Sequence, residues 1–147
     1  MTSRAQSVTV LGIEPKFWSM DTTNPEQFSL GVDEIAINQS LADELNAALG
    51  DKLILRIGRT QGIAADSPLA RKTDLVQSIV DLEIVRIVPT RGLARFSLQA
   101  SQQIPANAFV SLETLQLGLE QENKANALFI ASDFLGRAAS GLSLIHI

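Results

Sequence analysis

Residues 34–57, with the sequence EIAINQSLADELNAALGDKLILRI, are the most clearly patterned stretch of this chain. Residues 34–37 read as a short strand, and Asn38 suits a helix N-cap because its side chain can accept a hydrogen bond from an unpaired backbone N–H. One apolar helix face is then marked by Leu41, Ala42, Leu45, Ala48 and Leu49. Gly50 fits the left-handed position that ends many helices. With residues 52–57 as a second strand, the stretch predicts a strand–helix–strand unit.

A second unit of the same kind is predicted in the C-terminal third. Residues 108–110 lead into Ser111, another good N-cap. The leucines at positions 112, 115 and 119 mark the apolar stripe of a helix, and residues 126–131 follow as a strand. The two units share no sequence identity, so the similarity between them is architectural only.

The remaining segments add strands and loops to these units. Residues 7–13 alternate apolar and polar positions and predict a strand, and 21–31 predict a polar loop. Residues 76–88 predict a long central strand with a bend or bulge near 78–81. Residues 95–98 predict a short strand and 102–105 a loop, whereas 58–74 form a long connection. Together the segments predict an α+β fold, a mixed β-sheet with helices packed on one face.

Composition narrows the possible functions. The chain has 147 residues, the size of one domain, and 46% of them are hydrophobic, which is enough for a packed core. It carries 12 basic and 16 acidic residues, which argues against a general nucleic-acid binder. There is no cysteine, so disulfides, thiolate chemistry and cysteine metal sites are excluded. No run reaches the ~18–20 apolar residues that span a bilayer, and the first residues lack the apolar core of a signal peptide.

The C-terminal tail is predicted to be foreign to the natural protein. Residues 142–147, LSLIHI, back-translate as CTG TCT CTT ATA CAC ATC, the transposon end used in a common sequencing-library method. We therefore interpret residues 1–140 as a truncated natural domain and residues 141–147 as an adapter-derived tail. The alternative is that residues 142–147 begin a genuine apolar strand. The only histidine, His146, lies in this tail.

The sequence contains few of the side chains that enzymes commonly use for catalysis. Without cysteine, tyrosine or a histidine outside the tail, the usual nucleophile–base pairs cannot be built. The carboxylate pairs are Asp43 with Glu44 and Glu120 with Glu122, for which solvated charge is the favoured interpretation over acid–base work. We therefore predict no catalytic, cofactor-binding or metal-ligating residue.

Other motifs also have plainer interpretations. Residues 58–62 hold two glycines but lack the rest of a P-loop. Ser140 and Ser143 lie near glycines but not in a nucleophile elbow. The segment at Asp66 and Ser67 fits turn chemistry better than cation binding.

Two clusters invite a binding interpretation. Arg86, Arg91 and Arg95 could contact acidic partner groups, although a solvated strand edge is the favoured interpretation. Phe17 and Trp18 could form a binding platform, although core packing is the favoured interpretation. A folded domain without catalytic groups is expected to act by binding, gating or transmitting force.

The order of several segments resembles the periplasmic core domain of MacB-like permeases, which belong to the FtsX-like ABC-transporter permeases. Residues 8–13, a strand with a glycine near its end, precede the aromatic pair Phe17 and Trp18, as in the opening of that domain. Residues 34–38 with the apolar positions 41, 42 and 45 are similar to its next block. The segments that resemble one large subgroup are 92–98, Gln102, Pro105, 107–110 and 115–116. The likeness covers roughly residues 8–131.

The resemblance implies an integral membrane permease with membrane helices on both sides of this domain, on the periplasmic face of the bacterial inner membrane. A cytoplasmic ATPase would drive it, and the domain would move against a second permease copy. Export or extraction of lipoproteins, peptides or small molecules is the implied function, with no catalytic residue in this domain. Two alternatives stay open: a free-standing periplasmic binding or adaptor domain, and a carboxylate-dependent hydrolase.

Overall fold

The computed structural model describes residues 3–23, 27–59, 75–131 and 141–146. The strands are β1 Thr9–Ile13, β2 Glu34–Asn38, β3 Lys52–Arg59, β4 Leu75–Val88, β5 Asn107–Ser111, β6 Ala127–Ala131 and β7 Gly141–His146. The α-helices are α1 Gln39–Leu45 and α2 Leu112–Gly118. Two short 3₁₀ helices, η1 Pro15–Met20 and η2 Gly92–Arg95, lie between strands.

The seven strands form one mixed sheet in the order β3-β4-β2-β5-β1-β7-β6. β1 runs parallel to β5 and β2 runs parallel to β4, whereas the other neighbouring pairs are antiparallel. The two predicted units are present as β2–α1–β3 and β5–α2–β6. The predicted α+β fold is therefore confirmed.

The α-helices both cover one face of the sheet, as predicted. Leu41 of α1 and Leu115 of α2 belong to one buried cluster with Ile35 and Val110 of the sheet. The opposite face is covered by η1 and η2, whose buried residues pack against Leu11, Ala36, Phe109 and others. Alternation along β2 and β5 produces this division, because successive side chains in a strand point to opposite faces. The sheet thus has a core on each side.

Both predicted helix N-caps are confirmed, but the prediction that α1 ends at Gly50 was wrong, because the helix ends at Asn46. The backbone N–H of Leu41 donates to Asn38 Oδ1 at 3.0 Å, and that of Thr114 donates to Ser111 Oγ at 3.0 Å. Asn46 has a left-handed backbone, with φ of 50°, and ends α1 there. Ala48 and Leu49 consequently lie outside the helix, and Leu49 is 63% exposed. Their assignment to the apolar helix face was wrong, because Asn tolerates the left-handed conformation that stops a helix.

Of the predictions for residues 76–105, the bulge and the loop are confirmed and the short strand is not. β4 contains the predicted bulge: its register with β3 shifts where Leu53 and Leu55 face Leu82 and Ile79, and Asp81 has a φ of 59°. The predicted strand at 95–98 was wrong. Arg95 ends η2, in which Ala94 is buried and the Leu93 carbonyl accepts the N–H of Phe96, and residues 96–98 belong to neither a helix nor a strand. Residues 102–105 are a loop as predicted.

Two predicted connections fall only partly within the described residues. The described parts of the 21–31 connection, 21–23 and 27–31, contain no strand or helix, as predicted. The long connection 58–74 lies outside the described residues, except that its first two residues end β3.

Residues 141–146 form a strand between β1 and β6. Ile145 lies opposite Ile13 of β1 and opposite Ala127 of β6, and its side chain is fully buried. The conformation agrees with the alternative of an apolar strand. The origin of residues 141–147, natural or adapter-derived, stays a prediction.

Replacing Gly12 with alanine is expected to lower the free energy of unfolding by about 1–3 kcal/mol. A Cβ atom at position 12 would lie 2.9 Å from Cβ and Cδ2 of Leu115, a buried residue of α2. Gly58→Ala is the matched control in another strand, since a Cβ there meets nothing within 4 Å. Urea unfolding followed by the fluorescence of Trp18, the single tryptophan, measures both variants. A midpoint of Gly12→Ala at or above that of the parent chain would contradict the close contact between α2 and β1.

Candidate functional site

Two fully buried asparagines hold together the segment between η2 and β5. Asn38 Nδ2 donates to the carbonyls of Ala94 at 3.0 Å and Pro105 at 2.8 Å. Asn107 Nδ2 donates to the same Ala94 carbonyl at 3.1 Å and to that of Phe96 at 2.8 Å. Residues 38, 94, 96, 105 and 107 are called the asparagine network below.

The sheet topology places the two amides side by side. Asn38 is the last residue of β2 and Asn107 is the first of β5, and these strands are antiparallel neighbours. Asn38 Oδ1 accepts the N–H of Asn107 at 3.2 Å in addition to that of Leu41. One side chain thus caps α1, contacts β5 and donates to the loop before β5. Because buried polar groups are costly unless paired, the network selects one arrangement of these segments.

One atom of the network has no partner. Asn107 Oδ1 is buried, and none of the described protein atoms donates a hydrogen bond to it. Trp18 Nε1, which is buried on the same side of the sheet, also lacks an acceptor among the described residues. A carboxamide donates and accepts hydrogen bonds but does not ionise at neutral pH. The network can therefore fix geometry, and its own groups offer no acid–base chemistry.

An aromatic cluster lies on the same face of the sheet. Trp18 stacks on Phe28 with ring centroids 4.9 Å apart, and it meets Phe109 edge-on at 4.9 Å. The guanidinium of Arg86 lies 4.7 Å from the centroid of the Phe28 ring. Phe17 and Trp18 are 0% and 1% exposed. This pair therefore contributes to the core, the interpretation favoured from sequence, and offers no open platform.

Asp21 connects η1 with η2. It directly follows η1, is 8% exposed, and accepts the N–H of Leu93 at 2.9 Å through Oδ2. Its Oδ1 accepts the N–H of Thr23 at 2.9 Å and the hydroxyl of Thr23 at 2.7 Å. The carboxylate thus satisfies a backbone donor at the start of η2, as a side-chain cap does at a helix end. It fixes η2 over the sheet, next to the asparagine network.

The two candidate carboxylate pairs lie on different elements, and all four side chains are exposed. Asp43 and Glu44 are exposed on α1, where Asp43 Oδ1 accepts a bond from Gln39 Nε2 at 2.8 Å. Glu120 and Glu122 are exposed in the turns after α2. Among the described residues, no three Asp, Glu, His or Cys side chains are grouped so that they could hold a metal ion.

The other candidate residues are scattered or lie outside the described ranges. Arg91 and Arg95 are exposed at the two ends of η2, whereas Arg86 lies in β4 against Phe28. Asp66, Ser67 and Ser140 lie outside the described residues, as do the side chains of Ser143 and His146.

A groove of about 840 Å³ opens on the helix-covered face. Its wall includes Val10 of β1, Leu115 and Leu119, and residues 97–99 and 103–106 of the loop leading to β5. Glu44 and Arg56 also line it, so its lining combines apolar and charged groups.

Sequence reasoning found Asn38 as a helix cap but missed Asn107 and Asp21. A signal for Asn107 was present, because asparagine is depleted in strands and this one begins an otherwise apolar run. No local signal indicated Asp21, whose partner at Leu93 lies 72 residues further along the chain.

The chain matches no protein-family model and no curated protein. Within the described residues, no helix has both the length and the apolar character needed to cross a bilayer.

Proposed function

We propose that this chain is an extracytoplasmic domain of an ABC-transporter permease of the MacB/FtsX-like type. The supporting observation is that segments bearing the resemblance, far apart in sequence, meet in one place. Asn38 comes from the first block, and Ala94, Phe96, Pro105 and Asn107 come from the stretch that resembles one subgroup. Convergence of these segments in a buried network is expected if they form one structural centre of the domain.

Its proposed role is mechanical. The network joins the end of β2, the start of α1, η2 and the start of β5, so both strand–helix–strand units are bonded to the same loop. Packed cores have low compressibility and transmit displacement rather than absorb it. A movement applied to one unit would then carry the other with it. Such a body suits the transmission of ATPase-driven conformational change to the outer side of a membrane.

The proposed parent protein is an integral membrane permease whose ectodomain faces the periplasm. Its partners would be a cytoplasmic ATPase, acting through membrane helices, and a second permease copy. The transported material would be a lipoprotein, a peptide or a small molecule. This domain would require no cofactor and would carry no catalytic residue.

Reading the gene outward from both ends of this segment tests the proposal. We expect stretches of ~20 apolar residues on both flanks, each long enough to cross a bilayer, and a neighbouring ATPase gene. A reading frame that encodes this domain without flanking apolar stretches would contradict the transporter function.

Export by the complete permease gives a second test. Cells carrying the intact permease and its ATPase are expected to export substrate, whereas cells carrying a permease without residues 8–131 are not. The membrane level of the truncated permease serves as the control. Unimpaired export by the truncated permease would contradict the proposal.

The second candidate function is a free-standing periplasmic binding or adaptor domain, which the groove at Val10, Leu115 and Leu119 favours. A gene without flanking apolar stretches would support it. The carboxylate-dependent hydrolase has less support, because Asp43 and Glu44 lie on a different element from Glu120 and Glu122 and all four are exposed.

A further inference from the structure

The groove at Val10, Leu115 and Leu119 has an apolar floor that is continuous with the core. Leu115 and Leu119 belong to the buried cluster between the helices and the sheet, and Val10 packs against that cluster. The groove volume of about 840 Å³ lies within the range of about 300–1,000 Å³ that is usual for ligand sites. The groove thus has the size and the floor that a ligand with several apolar groups requires.

One wall of the groove is the loop between η2 and β5, which carries two exposed apolar side chains. Leu98 is 71% exposed and Ile104 is 60% exposed, and both line the groove. The carbonyls of Phe96 and Pro105, at the two ends of this loop, accept hydrogen bonds from the two buried asparagines. Apolar side chains that are exposed together are typical of ligand-binding grooves. Because the ends of the loop are fixed before a ligand arrives, less ordering is needed on binding.

Two side chains of opposite charge line the same groove. Glu44 belongs to α1 and Arg56 to β3, and both are exposed. Within the described part of the chain, neither side chain has an ionic or hydrogen-bonding partner. A carboxylate accepts hydrogen bonds from an ammonium group, and a guanidinium donates them to a carboxylate. The groove therefore offers one acceptor for a positive group and one donor for a negative group.

We propose that this groove binds a short peptide with free termini, whose ammonium group contacts Glu44 and whose carboxylate contacts Arg56. The opposite charges of such a ligand match those of the groove, and its apolar side chains would lie on the floor. Fatty acids and phosphate esters are less suited, because they present only negative charge to Glu44. The amide side chains of Gln99 and Gln103 line the same wall, and amides can donate to and accept from peptide groups.

Peptides are one of the three kinds of transported material proposed above, so a role of this site in export rests on the proposed function. Peptide binding itself is measured on this chain alone. A chain that binds no peptide would leave the transporter function standing, since the flanks of the gene test that function. A gene without flanking apolar stretches would leave the peptide site standing.

Titration of the full chain with the tetrapeptide Ala-Leu-Leu-Ala, followed by amide NMR, tests the proposal. We expect a dissociation constant below about 1 mM, with the largest amide shifts at residues that line the groove. Glu44→Gln is expected to raise the dissociation constant by roughly 1.5- to 5-fold, the range of an exposed ion pair, and to leave binding of the N-acetylated peptide unchanged. Arg56→Gln is expected to weaken binding of the free peptide by a similar factor but not binding of the C-amidated peptide. Leu98→Ser is expected to raise the dissociation constant at least about threefold, because apolar contact area is lost.

The matched controls are exposed residues that do not line the groove. Asp43→Asn on α1 and Lys52→Gln on β3 each remove a charge of the same sign, and Leu117→Ser on α2 removes a leucine that is 48% exposed. All three variants are expected to bind the peptide as the parent chain does, and the amide spectrum shows whether each variant is folded. Absence of binding at up to about 10 mM peptide would overturn the proposal. So would equal binding of a peptide blocked at both ends, the largest shifts at residues outside the groove, or equal weakening by a variant and its control.

Discussion

Deleting residues 141–147 is expected to abolish the cooperative unfolding transition of this chain. The deletion removes β7, which lies between β1 and β6, and with it the fully buried side chain of Ile145. Truncating one buried isoleucine to alanine already costs about 2–5 kcal/mol, and a small domain has a total stability of about 5–15 kcal/mol. β6 also loses its only strand partner in the described sheet, so Phe129 is no longer held beside Phe17. Urea titration followed by Trp18 fluorescence measures the effect.

The control for this deletion is Ile145→Val, which removes one methyl group and keeps the strand. It is expected to cost about 0.5–1.5 kcal/mol and to leave the denaturant slope unchanged, because the exposed surface is nearly the same. A deletion variant that unfolds with the midpoint of the parent chain would show that β7 adds nothing to the core. If residues 141–147 are adapter-derived, as the sequence predicts, the natural continuation of the gene is expected to restore the transition.

Replacing Asn38 with alanine is expected to lower the free energy of unfolding by about 3–5 kcal/mol. The change removes the cap of α1 and the acceptor for the backbone N–H of Asn107. It also takes the side-chain donor away from the Pro105 carbonyl, whereas the Ala94 carbonyl keeps Asn107 Nδ2. Each buried polar group that loses its partner costs about 1–3 kcal/mol, in addition to the lost cap. Urea unfolding with Trp18 emission gives the difference.

Ser111→Ala is the matched control, because it removes the N-cap of α2 without touching the asparagine network. Ser111 Oγ accepts the N–H of Thr114 in a position only partly buried. Its loss is expected to cost about 1 kcal/mol. The difference between the losses of unfolding free energy in Asn38→Ala and Ser111→Ala measures how much the asparagine network stabilises the fold. Equal losses in the two variants would show that Asn38 acts as a helix cap and nothing more.

The local sequence predicts the helix cap at Asn38 but not the hydrogen bonds between Asn38 and the residues around Asn107. The cap was predictable because Asn38 and Leu41 are three residues apart and the pattern repeats in many helices. The bonds from Asn38 to Pro105 and Asn107 join residues 67 and 69 positions apart. No periodicity relates such positions, so only the pairing of β2 with β5 reveals that the two amides are neighbours.

The two errors in secondary structure have different causes. Leu49 continues the spacing of the α1 face, yet the left-handed turn at Asn46 ends the helix before it. Residues 95–98 alternate like a strand, but Ala94 is buried against the sheet, Arg95 ends η2, and residues 96–98 form no regular element. The first error is local, because asparagine tolerates the left-handed conformation that stops a helix. The second depends on distant contacts, since the Ala94 carbonyl accepts hydrogen bonds from Asn38 and Asn107.

The sequence by itself determined the two strand–helix–strand units, both helix N-caps, the bulge in β4 and the burial of Phe17 and Trp18. These features depend on residues a few positions apart, where spacing, capping and turn chemistry act directly. Only the tertiary structure decided the strand order and the contact of Asn38 with Asn107. Strand order depends on packing between distant segments, and local sequence patterns do not specify which strands are neighbours.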